Sequence, residues 1–284
     1  MPGRRVILAD KDDILRPRRV LAFDSGLGGL TVLAPLAAMR PDLDLTYLAD
    51  DAAFPYGRLA DDALVARVEA VIGAAIARFE PDLVLIACNT ASTLALAPLR
   101  ARFPSMPFVG TVPAIKPAAA VSRSKRISVL ATMATVTRDY TRQLVATHAA
   151  GCDVALVGAP ILAEQAERHV RGLPLDEALI KRETAPAFVD ADGRRTDQIV
   201  LACTHYPLLL DVLTRLAPWP VTFVDPGPAI ARRVDSLLAR GEGAGGRRLA
   251  LTGEAALEPA LARHLAAMGL GAPPLRLRVE SVVA

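Results

Sequence analysis

Residues 83–93 read LVLIACNTAST, and residues 198–208 read QIVLACTHYPL. Each is an apolar run ending in Ala-Cys followed by polar residues, and the two cysteines, Cys88 and Cys203, stand 115 positions apart (203 − 88). Self-similarity of this kind marks a duplicated supersecondary unit and constrains the architecture before any single residue is interpreted. A short continuous apolar run suits a strand buried on both faces of a parallel sheet.

The flanking sequence keeps the same rhythm. From Arg18, RRVLAFD, SGLGG and LTVLAPLAAM read as strand, glycine loop and helix, and DLDLTYLAD alternates as a second strand. ADDALVARVEAVIGAAIARF is a helix with Asp61 and Asp62 in its first turn, where carboxylates suit the helix dipole. MPFVGTV closes the first half. After PAIKPAAA the pattern resumes: RISVLAT as strand, ATVTRDYTRQLVATHAA as one helix, CDVALVGA as strand, and PILAEQAERHVRG as helix. QIVLAC, VTFVDPG and the helix PAIARRVDSLLAR follow, and GEGAGGRR marks an exposed turn. Alternation of strands and helices predicts the α/β class with mostly parallel sheets. In such sheets ligands bind beyond the carboxyl ends of the strands, which is where both cysteines fall.

Composition sets the outer bounds. A chain of 284 residues that is 52% hydrophobic suits two domains or one large α/β unit, and at 4% aromatic its cores must be built mainly from Ala, Leu and Val. The 33 Lys and Arg nearly balance the 30 Asp and Glu, so the net charge of +3 gives no argument for a nucleic-acid partner. Three cysteines with no C-x-x-C argue against a disulfide framework and for a reducing, cytoplasmic compartment. The N-terminal stretch has only VILA as an apolar run, too short for a signal-peptide core or a membrane span. Residues 1–17 read as a loose extension.

Several cofactor classes fail on spacing. FDSGLGGLT at residues 23–31 follows a strand and opens a helix, but the sixth place of a dinucleotide fingerprint counted from Gly26 is Thr31, not Gly. What remains is a loop whose backbone N–H groups can approach an anion. Cys88, Cys203 and His205 do not form a recurring zinc pattern, so no metal is expected. Cys152 has no polar company and reads as a small buried apolar residue.

A His two residues from Cys203 can set that thiol's charge state, and Asp24 can serve Cys88 if their strands are neighbours. Acyl transfer needs one nucleophile, and dithiol redox chemistry needs its sulfurs within bonding distance. Two thiols, each with an acid/base partner, suit removal of a proton from one face of a carbon stereocentre and its return on the other.

FDSGLGGLTV, FPYG at 54–57, ACNTAS, GTVPAIKPA, ATMATVTRDY and ACTHYPLL together resemble the glutamate racemase family, over roughly residues 18–240. The resemblance implies two pseudo-symmetric three-layer α/β/α domains with the active site at their interface, residues 18–112 plus 222–284 forming the first and 113–221 the second. It implies a cofactor-independent racemase that supplies D-glutamate for peptidoglycan. Cys88 and Cys203 would be the acid/base pair, Asp24 and His205 their assistants, and Ser25, Tyr56, Gly57, Asn89, Thr90 and Thr204 further lining of the substrate site. Ala202 and the DPG at 225–227 depart from the usual Gly and Asp-Ser-Gly. Aspartate or hydantoin racemisation and a non-catalytic amino-acid binding protein remain as alternatives, and the oligomeric state is open, a homodimer included.

Overall fold

The computed structural model describes residues 16–279. The expected extension over residues 1–17 therefore lies outside the described residues except for Arg16 and Pro17, and Arg16 donates to both carboxylate oxygens of Asp82 at 2.9 and 2.6 Å.

The first half of the chain runs β1 (Arg19–Asp24), α1 (Leu30–Met39), β2 (Asp44–Ala49), α2 (Asp61–Phe79), β3 (Leu83–Ile86), α3 (Asn89–Arg102) and β4 (Phe108–Gly110). The second continues with α4 (Ile115–Val121), β5 (Arg126–Ala131), α5 (Met133–Val136), α6 (Asp139–His148), β6 (Asp153–Gly158), α7 (Leu162–Val170) and α8 (Glu177–Thr184). A small antiparallel hairpin, β7 (Asp190–Ala191) with β8 (Arg194–Arg195), precedes β9 (Gln198–Ala202), α9 (Leu210–Leu216) and β10 (Thr222–Val224). The chain ends in α10 (Gly227–Asp235), β11 (Arg247–Leu251), α11 (Pro259–Ala267) and β12 (Leu275–Arg276).

Two parallel sheets result. One has the order β12-β11-β2-β1-β3-β4 and the other β10-β9-β5-β6. Within them β2-β1-β3-β4 and β6-β5-β9-β10 are the same arrangement, so β1 matches β5 and β3 matches β9. Alternate residues of each central strand feed opposite faces: Leu83 and Leu85 join one core cluster, Val84 and Ile86 another. In β9, Ile199 and Leu201 lie on one side and Val200 and Ala202 on the other. Each sheet is thus covered on both faces, the expected three-layer α/β/α build, and the continuous apolar runs are explained by this double burial.

Two expectations are corrected. Thr222–Val224 pairs in register with Gln198–Val200, so this strand belongs to the second sheet and the chain returns to the first lobe only beyond Val224. The single helix read over ATVTRDYTRQLVATHAA breaks at Thr137–Arg138 into α5 and α6, where Thr137 Oγ1 donates to the Met133 carbonyl and Arg138 turns to extended backbone. Among the described residues no helix is long and apolar enough to cross a membrane.

Topology places the site. In the first sheet the chain goes from β1 to β2 on one side and then to β3 on the other, so the strand order reverses between β1 and β3. In the second it reverses between β5 and β9. A crevice opens at the carboxyl ends of strands at such a point. Asp24 and Cys88 stand at one, Thr132 and Cys203 at the other.

Candidate active site

The two crevices face each other across a single pocket. Ser25, Tyr56, Gly57, Cys88, Asn89 and Thr90 line it from the first lobe, Cys203, Thr204 and His205 from the second. Cys88 and Cys203 are 5% and 6% exposed, so chemistry here is screened from bulk water. Asp24 is fully buried just behind this lining.

Cys88 caps α3, its sulfur accepting from Ala91 N–H at 3.5 Å, while Ser25 Oγ lies 3.8 Å away. Burial and, next, the charge of Asp24 push the Cys88 thiol up to about 12. It is therefore a protonated thiol at neutral pH. Asp24 reaches Cys88 through its field and through Ser25, whose Oγ donates to Asp24 Oδ1 at 3.4 Å; its other hydrogen bonds come from Gly26 N–H at 2.9 Å and, across the lobe boundary, from Thr204 Oγ1 at 2.8 Å. Burial raises the Asp24 pKa, against the charge of His205 and these hydrogen bonds.

The Cys203 side is built differently. His205 Nδ1 lies 4.0 Å from Cys203 Sγ, and Nε2 lies 3.1 Å from Glu167 Oε1. Burial opposes a charge on the ring, but the hydrogen bonds to Cys203 and Glu167 and the charge of Asp24 outweigh it, and the His205 pKa stands well above its ordinary value. The imidazolium donates from both nitrogens. Gly28 N–H lies 3.2 Å from Nε2, which has no lone pair to accept it while that nitrogen is protonated and donates to Glu167. Phe54 covers the ring with centroids 5.2 Å apart.

The glycine loop does meet an anion, and that anion is Glu167. Its Oε1 accepts from Leu27 N–H at 2.6 Å. A Cβ at Gly26 would fall 2.4 Å from the same oxygen, and one at Gly28 would fall 2.4 Å from the His205 ring. Glycine is required here by the close approach of the two lobes.

Tyr56 contributes its ring rather than its hydroxyl, which donates to the buried Asp50 at 2.6 Å; Arg67 grips the same carboxylate with two bonds. Asn89 is 2% exposed, yet neither its side-chain oxygen nor its nitrogen has a partner among the described residues. Two buried amide atoms without partners are costly unless a ligand satisfies them.

Sequence reading missed Glu167, Thr132, Phe54 and Ala163. Thr132 lines the pocket and shares a hydrogen bond with Thr90 at 3.3 Å across the lobes. Glu167 had a signal: on α7 it sits among buried Ala163, Ala166 and Val170, a carboxylate on the apolar face of its helix. Among the described residues no cluster of three or more His, Cys, Asp or Glu is disposed to hold a metal ion.

Comparison with known proteins bears on the family and the fold. The family profile Asp/Glu/Hydantoin racemase matches residues 34–234. A glutamate racemase of Brucella anthropi is 56% identical over 221 residues, covering 78% of this chain and 80% of that protein. One of Brucella canis is 55% identical over 228 residues, covering 80% and 82%. The crystal structure of Escherichia coli glutamate racemase, in complex with L-glutamate and the activator UDP-MurNAc-Ala, superposes with a TM-score of 0.84 at 36% identity, over 94% of this chain and all of that one. With matches this extensive in sequence and in fold, the chain belongs to the Asp/Glu/hydantoin racemase family and stands among its glutamate racemases.

Proposed function

We propose that the protein interconverts L- and D-glutamate, one of Cys203 and Cys88 taking the Cα proton and the other delivering its own to the opposite face. The observation that carries this reading is the single pocket lined by one cysteine from each lobe, each with its own acid/base surroundings. A Cys88 thiol is the form that delivers a proton when L-glutamate is the substrate. Cys203, as thiolate, takes the proton from Cα, and Cys88 delivers its own proton to the opposite face. D-glutamate then leaves a Cys88 thiolate and a Cys203 thiol, the starting state for the reverse reaction. His205 and Asp24 act on the charge states of the two sulfurs, which is general acid/base assistance. The unpartnered Asn89 amide and the hydroxyls of Ser25, Thr90, Thr132 and Thr204 supply donors and acceptors for the ammonium and the two carboxylates.

The substrate is glutamate, the setting is the cytoplasm, and the D-glutamate formed serves peptidoglycan synthesis. The test is racemisation by purified protein without added cofactor, with glutamate, aspartate and a hydantoin side by side, together with HCl elimination from a β-chloroglutamate. Elimination needs only abstraction: the base takes the Cα proton, the electron pair forms Cα=Cβ, and chloride departs. Cys88→Ser should keep elimination from the L-like enantiomer and Cys203→Ser from the D-like one, while both lose racemisation. One cysteine serving both enantiomers would overturn the two-base scheme.

A further inference from the structure

The hydrogen bonds behind Cys203 continue past the residues that line the pocket. Glu167 Oε1 accepts from His205 and Leu27, and its Oε2 accepts from both Nε and Nη2 of Arg171 at 3.1 Å each. The remaining arm of the guanidinium, Nη1, donates to the two oxygens of Glu258 at 3.1 and 2.9 Å. Arg171 lies one helical turn beyond Glu167. Glu258 comes from the first lobe, at the N-cap of α11, and neither it nor Arg171 lines the pocket.

The shapes explain the choice of residue. A carboxylate free to turn about its last bond presents either oxygen, or neither, to a fixed ring. A planar guanidinium gripping one oxygen with two N–H groups fixes that turn, which an ammonium on a flexible stem cannot do. We propose that Arg171 is a positioning residue for the Cys203 half of the site, holding Glu167 against His205, and that Glu258 anchors it from the other lobe so that this half is complete only when the lobes are closed together.

The inference rests on the proposed racemase function for its kinetic consequences but not for its electrostatic one. The groups facing Glu167 are His205 with Cys203 behind it, Asp24 and Tyr47 from the first lobe, and Arg171 from its own helix with Glu258 beyond. Burial raises the Glu167 pKa, but the hydrogen bond and charge of His205, the Leu27 N–H and the charge of Arg171 together hold it below its ordinary value. Without Arg171 one of these opposing causes is gone, so Glu167 protonates at a higher pH and stops serving His205 as an anion.

The experiment compares full-length wild type with Arg171→Met, Arg171→Lys, Glu258→Gln and the Met/Gln double variant. Racemisation is followed from about pH 5 to 9, with elimination from each β-chloroglutamate enantiomer. The expected result for Arg171→Met is a kcat lower by roughly three- to tenfold, a fraction of what full loss of acid/base help costs, with KM nearly unchanged. Its acid limb should move to higher pH, and its elimination loss should fall mainly on the enantiomer whose proton goes to Cys203. Arg171→Lys should restore the acid limb but not kcat. Glu258→Gln should show a smaller loss that adds nothing on top of Arg171→Met. A wild-type acid limb in Arg171→Met, or an equal loss for both enantiomers, overturns the proposal and leaves Arg171 as a brace for α7. Titration of the Glu167 carboxyl carbon by NMR reads the same change without turnover. If wild type does not racemise glutamate, the functional reading fails, while an unmoved Glu167 titration in Arg171→Met defeats this inference separately.

Discussion

Gly28→Ala puts the lobe contact under direct test. An ideal Cβ at residue 28 falls 2.4 Å from Nδ1 of His205 and 2.7 Å from Cε1 and Cγ, whereas ordinary contact begins at 3.4 Å, so the ring must give way by about 1 Å (3.4 − 2.4). It cannot do so freely, since it is 2% exposed, faces Phe54 and is held at Nε2 by Glu167. The methyl group meets Nδ1, the atom that faces Cys203. A misplacement of about 1 Å in a catalytic group can cost on the order of 100-fold, and overpacking of this kind costs about 1–3 kcal/mol in stability. Enantiomers have equal free energy in water, so kcat/KM must fall equally in both directions of racemisation. The asymmetry shows only in the half-reaction: β-chloroglutamate elimination should fail chiefly for the enantiomer that Cys203 deprotonates. Gly151→Ala, with nothing within 4 Å of its Cβ, is the control and should behave as wild type. Turnover of Gly28→Ala within twofold of wild type would refute the argument, because the ring would then have room that the structure denies it.

Asp24→Asn and His205→Asn should lower kcat by about 100- to 10,000-fold with smaller changes in KM; effects confined to KM would make both residues binding groups only. The raised His205 pKa also predicts a pH-dependent stability term, fully present below the unfolded value of about 6.5 and lost as the pH climbs through the folded one. The stability gap between wild type and His205→Asn, read from urea midpoints, should therefore narrow as the pH is raised, and a widening gap contradicts it. Arg40→Met should cost about 3–5 kcal/mol, because it removes from the buried Asp42 the partner that holds its carboxyl well below the usual range; unchanged unfolding would show that Asp42 finds other partners.

The duplicated runs around Cys88 and Cys203 made the α/β fold legible, because a strand buried on both faces has little freedom in composition and its carboxyl end is where a polar residue first becomes useful. The residues that line the pocket within those motifs were legible for the same reason. Glu167 was legible only as a carboxylate on the apolar face of α7, and its contact was not: its partner Leu27 lies 140 positions away, and nothing local to AEQAERHV announces a contact with another lobe. The glycines of SGLGG carried a correct demand, close backbone approach, but not the identity of what approaches. The placement of β10 was lost because a three-residue strand has no pattern of its own and is assigned by the neighbour it pairs with, here β9.

The first sheet is assembled from two distant stretches of chain, and this governs how it is born. β4 ends at Gly110 and β11 begins at Arg247, so 137 residues (247 − 110) must be made before the sheet can begin to extend past β2. At a synthesis rate of about 5–20 residues per second that wait is roughly 7–27 s. Throughout it, the backbone of Asp44–Ala49, which later bonds to Arg247–Leu251, stands as an open edge on the ribosome. A nascent chain halted by premature termination between Cys203 and Arg247 never closes that edge. Such a fragment should pass to chaperones or into aggregates rather than persist as a half-enzyme, even though it carries both cysteines.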